Sequence, residues 1–353
     1  MSYKIKGNVV VDDNDRVYAR NLYHLGDRYN LLYGHLGQTT GYSIAGTNPA
    51  VPAQYDSVDA FPLTGTGFTA SNVGALREGG MFYVTACSSR VTDKCYKIGG
   101  MNPSSPGSAS AYHVDYFPHA NPWTTSTFAG YSYYGTPAGV YGGAAVSGDQ
   151  YAFYGGDHIP STYTTDLQKF PFHSPWTNMS LYGSTFGYQI SIGNAVQSSD
   201  HGFFAGTSIG GYKYVSAIPF AGEFFQESGI WTDLTANSFA YAACNSTTDG
   251  YFVGGTMVAP GPSYNLLDKV DKFPFARTLG GVTTTDVGNL SLARATTGGV
   301  SSTSGGYVLG GTYTYPPSYV SQVDFFPFHA PFTTTTDVGD LVSARGYLAG
   351  SEY

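Results

Sequence analysis

Charge is scarce in this 353-residue chain, where Asp, Glu, Lys and Arg together make up 11% against 42% hydrophobic residues. The 16 Lys and Arg are thinly spread under a net charge of -8, with no basic run. Such a chain carries no electrostatic footprint for phosphate backbones, so no nucleic-acid partner is expected. No stretch approaches the roughly 18 uninterrupted apolar residues of a membrane-spanning helix. The opening residues carry Asp12, Asp13 and Asp15 in place of an apolar core, so neither membrane insertion nor a signal peptide is expected. Cysteine is nearly absent: three residues cannot all pair, which excludes a disulfide framework. Cys87 and Cys95 flank a predicted hairpin turn and read as buried thiols, with a cross-strand bridge as the alternative.

What is abundant points to strands and tight turns: 47 Gly, 19 Pro, 31 Tyr and 22 Phe. The chain also repeats. Phe61-Pro62, Phe117-Pro118, Phe170-Pro171, Ile218-Pro219, Phe273-Pro274 and Phe326-Pro327 recur at intervals of 48 to 56 residues. Upstream of each lies an apolar run ending in small residues: GYSIAGT, KIGGMN, AFYGGD, GFFAGT, GYFVGGT and GYVLGGT. A third signal, TTTDVGNLSLAR ending at Arg294 and TTTTDVGDLVSAR ending at Arg345, has a degenerate copy ending at Arg77. A period near 50 with Gly-Gly doublets is that of propeller blades of four antiparallel strands.

In the sixth unit the innermost strand is expected within Ala295 to Ser302 and the second in GYVLGG. The third is expected in VSQVDFFPF, ended by proline, and the outermost in the threonine run after Phe332, with DVGDL turning the chain back. A propeller must hide its first and last edges. The stretch from Ala344 to Tyr353 is one innermost strand too many, and the first unit lacks one. The expected fold is therefore an all-β, six-bladed propeller over residues 41–353, its first blade closed by the C-terminal strand. Residues 1–40 form a separate arm, read as a β-hairpin turning at Asp12 to Asp15 and anchoring the chain. Calcium is not expected at that turn, which lacks the central Gly and terminal Glu of an EF-hand loop.

The combination of Gly-Tyr-x-x-Gly-Gly, Asp-x-Phe-Pro-Phe and Thr-Asp-Val-Gly-Asp-Leu-x-x-Ala-Arg resembles the repeats of kelch-like virion proteins of marine tailed phages, cyanophages above all. The strong matches run from Gly250 to Arg294 and from Gly306 to Arg345, and the opening YKIKGNVVVDDNDR resembles the start of phage tail-fibre and appendage proteins. The resemblance implies a non-enzymatic virion protein, a tail fibre, appendage or surface decoration. Residues 1–40 would dock on other virion proteins, and the propeller would be displayed, in many copies or as a homo-oligomer, for adhesion to a host glycan or protein. Two alternatives stand beside it: a carbohydrate-active propeller enzyme of sialidase or glycosidase type, and an architectural spacer.

Recurring polar residues are read as architecture. His119, His173 and His329, each just after a Phe-Pro signal, are too far apart in a six-fold ring to share a metal. Asp59, Asp115, Asp271 and Asp324 are read as turn caps or partners within their own blades. Arg77, Arg294 and Arg345 are expected to bond backbone carbonyls, with a rim around the channel as the alternative. Trp123, Trp176 and Phe332 are expected to pack between blades. No catalytic set, metal or cofactor is expected. Ligand binding is assigned to the loops joining second and third strands, where Tyr264, Tyr313, Tyr315 and Tyr319 stand beside small polar groups.

Overall fold

The computed structural model describes residues 3–5, 8–11, 39–48, 56–79, 81–89, 91–101, 113–119, 123–132, 142–159, 162–173, 178–184, 194–206, 213–221, 229–258, 264–276, 281–314 and 316–352. Among them there is no helix, and six antiparallel sheets form the blades of a propeller. From the axis outward, blade one is Ala349–Glu352, Thr40–Ile44, Ser57–Pro62 and Ser71–Ala75. Blade two is Thr85–Ser89, Lys94–Ile98, His113–Pro118 and Thr127–Tyr131, and blade three is Ala144–Ser147, Tyr151–Ile159, Thr162–Pro171 and Ser180–Ser184. Blade four is Asn194–Gln197, His201–Ala205, Tyr214–Pro219 and Gly229–Asp233; blade five is Ala242–Asn245, Asp249–Val253, Lys269–Pro274 and Thr285–Asn289. Blade six is Gly298–Ser301, Gly305–Leu309, Gln322–Pro327 and Thr336–Asp340. Each inner strand packs on those of both neighbouring blades, so the ring closes. The closure is the expected one: Ala349 pairs with Ile44 and Glu352 with Gly41.

The repeat motif is a packing device. The residue before each Pro, Phe in five blades and Ile218 in blade four, is buried, and in blades one, five and six the glycine opposite it on the second strand makes room: a Cβ on Gly41, Gly250 or Gly306 would lie within 2.5 Å of Phe61, Phe273 or Phe326. The tyrosine that follows this position, after Gly41, Cys95 and Gly306, reaches into the next blade. Tyr42 donates to the His119 carbonyl at 2.6 Å, Tyr96 to Phe172 at 3.1 Å and Tyr307 to Leu63 at 2.6 Å. The Gly-Gly doublet serves backbone conformation as well as close approach. Gly310 and Gly311 have φ of +52° and +112°, and blade one reaches the same geometry with Ala45 at +58° and Gly46 at +112°.

The outer rim differs from the expected one. The outermost strand of blade six is TDVGD itself, and the threonines before it form a connector. That connector lies beside the previous blade, where Thr334 bridges Asn289 in parallel, as Phe68 and Thr69 pair with Gly339 and Asp340. Each such connector covers a sheet edge that would otherwise template aggregation. The glycine of Asn-Val-Gly in blade one and Asp-Val-Gly in blade five is the slot for the connector's aromatic ring: a Cβ on Gly74 would meet Trp123 at 2.5 Å, and one on Gly288 would meet Phe332 at 2.5 Å. Trp123 and Phe332 therefore do pack between blades, with Phe68 on Gly339 as a third example; Trp176 lies outside the described residues.

The expectation for the histidines changes, and the reading of Cys87 and Cys95 as buried thiols holds. At the N-terminus Tyr3–Ile5 pairs with Asn8–Val11, and the turn expected at Asp12 to Asp15 lies outside the described residues, along with 16–38. The histidines do not share a position. His119 donates its backbone N–H to Asp93, as Phe172 does to Gln150 and Phe328 to Ser304, so it occupies a phenylalanine site, while exposed His173 and His329 fall one residue later. Cys87 faces Tyr96 and Cys95 faces Ser88 across the same strand pair. Successive residues of a strand point to opposite faces, so the two thiols lie on opposite sides of blade two and are free.

Candidate functional site

The inner strands enter the axis through a strained bend. Two residues before the strand, Tyr347, Tyr83, Ala240 and Thr296 all hold φ of 57° or 58°, and Gly142 holds 77°. A positive φ is unfavourable for residues of this size. The compensation is a circumferential hydrogen-bond belt. Thr296 N–H donates to the Ala240 carbonyl at 2.6 Å, Tyr347 to Thr296 at 2.8 Å, Tyr83 to Tyr347 at 3.1 Å and Gly142 to Tyr83 at 3.2 Å. Thr296, Tyr347 and Tyr83 thus each donate to one neighbouring blade and accept from the other, an orientation that the left-handed bend supplies. Below the belt the channel narrows to a waist of six equivalent small residues, Gly350, Ala86, Ala145, Ala195, Ala243 and Gly299. A Cβ on Gly299 would lie 2.1 Å from the Ala243 carbonyl, so neighbouring inner strands meet here backbone to backbone.

Beside the belt, at the channel mouth, lies a cavity of about 310 Å³. Its walls come from two sources. The bends supply Tyr83, Tyr347, Ala240 and Thr296, and the loops between second and third strands of blades five and six supply Thr256, Leu266, Thr312, Thr314 and Pro317. Phe239 and Ala295 form its floor. Tyr83 and Tyr347 meet edge-on, with ring centroids 4.5 Å apart. The threonine hydroxyls donate to backbone carbonyls: Thr256 to Asn265 at 3.3 Å, Thr312 to Ala295 at 3.4 Å and Thr314 to Pro316 at 2.7 Å. The loop of blade five holds its shape as a small hairpin, Thr256–Val258 against Tyr264–Leu266.

The loops chosen from sequence frame this cavity, and of the tyrosines chosen from them neither Tyr313 nor Tyr319 is among its described lining residues. Tyr264 pairs its backbone with Val258, at the end of the hairpin away from Thr256, and its side chain lies outside the described residues. Tyr315 also lies outside them. Tyr313 is exposed and bonds Ser318 through its backbone. Tyr319 packs behind the mouth against Gly346, where burial and then neighbouring Tyr347 push its hydroxyl up to about 12. The lining tyrosines, Tyr83 and Tyr347, sit at bends outside any loop of special composition. Their one sequence signal is the shared place two residues before an inner strand.

Recurring charges are consumed within blades. Arg345, fully buried, reaches Asp59 at 2.6 Å, Ser57 Oγ at 2.7 Å and Ser43 Oγ at 3.1 Å. Arg294 donates to the Val308 carbonyl at 3.0 Å and lies 3.5 Å from Asp324; Arg77 lies 3.3 Å from Asp115. Carboxylates are thus partners in all three blades, beyond the carbonyls expected, and no described arginine of this set rims the channel. Blade five has no arginine here, and Asp271 takes two bonds from Thr235, at 2.6 and 2.9 Å. Burial holds the Asp59 and Asp271 carboxyls above their ordinary value; Arg345 opposes this at Asp59 and the Thr235 bonds at Asp271. Burial likewise lowers Lys97, against the pull of Asp115.

At the opposite end of the channel, the last facing residues of the inner strands form a polar ring: Glu352, Ser88, Ser147, Gln197, Asn245 and Ser301. His119 adjoins it, with Nδ1 3.3 Å from Asp93 Oδ1 and Nε2 3.4 Å from Ser88 Oγ. Ser88 in turn donates to the Glu352 carbonyl at 2.8 Å and contacts Ser351 Oγ. The order Asp, His, Ser is that of a nucleophile relay. Here its serine joins blade two to the strand that closes blade one, and the chain of bonds acts as a clasp. Among the described residues no cluster of His, Cys, Asp or Glu is suited to a metal.

These features define a six-bladed β-propeller with a hydroxyl- and aromatic-lined cavity at one end of its channel. A solved structure of YjhT is similar to the chain, with a TM-score of 0.61 and 12% identity over 87% of this chain and 99% of that one. At this identity the likeness speaks to the fold alone. No family model and no curated protein sequence matches the chain.

Proposed function

We propose that the chain is a non-catalytic binding propeller, displayed on a virion, that engages a host-surface ligand with the face carrying the channel-mouth cavity. The observation that carries this reading is the cavity itself. It is a concave site of about 310 Å³ on rigid, hydrogen-bonded bends, walled by threonine hydroxyls, tyrosine rings and two inter-strand loops. The recurring Arg and Asp residues support it from the other side, being engaged in blade architecture. The virion setting rests on the resemblance of the last two repeats and of the opening segment to tailed-phage proteins. Purified protein incubated with labelled cell-surface glycans of marine cyanobacteria tests the reading. Retention on glycan or cells without new reducing ends or released product is expected. Turnover would establish the carbohydrate-active alternative, and absence of any cell or glycan retention would leave an architectural spacer.

A further inference from the structure

We infer that the ligand of the channel-mouth cavity is a neutral sugar residue, held by hydroxyl acceptors over an apolar aromatic wall; this deepens the binding reading above and rests on it. A hydroxyl has one proton to give and two lone pairs to offer. Thr256, Thr312 and Thr314 each direct that proton to a backbone carbonyl, at 3.3, 3.4 and 2.7 Å, and Thr296 directs its own to Thr312 Oγ1 at 3.3 Å. Thr314 Oγ1 also accepts from the Ser318 N–H at 3.0 Å, and Thr312 Oγ1 accepts from Thr296, so each of these two keeps one lone pair; with Thr256 and Thr296 they offer acceptors and no spare proton, complementary to a ligand rich in donors.

Charge narrows the class. Among the described lining residues there is no Lys, Arg, His, Asp or Glu. An acidic or amino sugar would bury its charge without a partner, which is costly. The apolar side, from Tyr83 and Tyr347 through Phe239 and Leu266, suits the C–H faces of a pyranose, which carries hydroxyl donors along its rim. Volume agrees, since about 310 Å³ stands at the small end of ligand cavities and fits a single residue or the end of a chain. The bends that supply Tyr83, Thr296 and Tyr347 are fixed by the hydrogen-bond belt, so the site is formed before the ligand arrives.

The test is calorimetric titration of the full chain with methyl hexosides and neutral oligosaccharides, alongside uronic-acid and sulfated sugars, for wild type, Thr312→Val, Thr314→Val and Tyr313→Ala. Valine keeps the shape of threonine and removes the acceptor. Saturable binding of a neutral sugar is expected, weakened about tenfold in each valine variant and unchanged in Tyr313→Ala, which is not a lining residue. Thr314 is exposed, so its variant keeps the test valid if Thr312→Val lowers the thermal midpoint. Tighter binding of acidic sugars, equal binding by both valine variants, or no saturable sugar binding would overturn the inference. Cell retention that neutral sugars do not compete away would overturn the ligand class and leave the display reading intact. Sugar binding in solution without cell retention would do the reverse.

Discussion

Arg345 and Asp59, 286 residues apart in sequence, meet at 2.6 Å inside blade one with both side chains fully buried. The pair welds the C-terminal strand to the first repeat, so the ring's covalent gap is closed by an ion pair as well as by the ladder from Ala349 to Glu352. Breaking a buried pair by removing one partner costs about 3–5 kcal/mol, because the other charge is stranded. Arg345→Met and Asp59→Asn should each lose stability on that scale in urea unfolding, and Arg345→Met with Asp59→Leu should recover much of it. Deleting residues 345–353 should abolish the cooperative transition altogether. An unchanged midpoint in that deletion would remove the closing strand from the account of stability.

Asp271 should behave differently from Asp59, although both carboxyls are raised by burial. Asp271 has threonine bonds in place of an arginine, so neutralising it strands no cation. A carboxyl whose folded value lies above its unfolded one binds its proton more tightly in the folded state. Its contribution to stability is full below the unfolded carboxylate range and declines as pH rises through the folded value. Asp271→Asn should therefore flatten the fall in thermal midpoint over that window and leave the protein at neutral pH as stable as wild type or more so. A loss comparable to that of Asp59→Asn would contradict the assignment.

The slots in the outer strands make a paired prediction. Gly288→Ala places a methyl where the Phe332 ring lies 2.5 Å away and should cost about 1–3 kcal/mol. Combining it with Phe332→Leu should return part of that cost, and a double-mutant cycle from chemical denaturation reads the coupling. Additive losses would mean that ring and glycine are not partners.

At the belt, Ala240 holds φ of 58° while its carbonyl accepts from Thr296. Ala240→Gly should leave the thermal midpoint nearly unchanged, since relieved strain and added unfolded-state freedom are both about 1 kcal/mol. Ala240→Val, β-branched in a left-handed bend, should destabilise by more than either. Equal behaviour of the two variants would show that the bend is not maintained.

The blades were legible from sequence because Phe-Pro, Gly-Tyr and Gly-Gly answer to local needs: a strand end, a slot for a ring, a positive φ. Blade count, strand order within each blade and the C-terminal closure followed from them. What sequence did not show depends on neighbours across blade boundaries. The threonine run reads as a strand by propensity, yet Thr334 lies against Asn289 of the previous blade. His119 looks equivalent to His173 until the bond to Asp93 reveals a one-residue offset. The site was half visible for the same reason. Loops rich in Pro, Ser and Tyr mark its two outer walls, whereas Tyr83 and Tyr347 come from bends whose conformation is set by the belt, a contact between blades that no local pattern encodes.

The central claim, that the channel-mouth cavity is the ligand-engaging surface of a non-catalytic propeller, is tested most directly by retention of labelled protein on cyanobacterial cells, comparing wild type with Leu266→Arg. The substitution directs a long charged side chain into the cavity from its half-buried wall, where Leu266 packs on Phe239, Ala240 and Ala295. Wild-type protein should be retained and release no glycan product, and the variant should fold with the same midpoint and lose retention. Equal retention by the variant, or product release by the wild type, would contradict the claim.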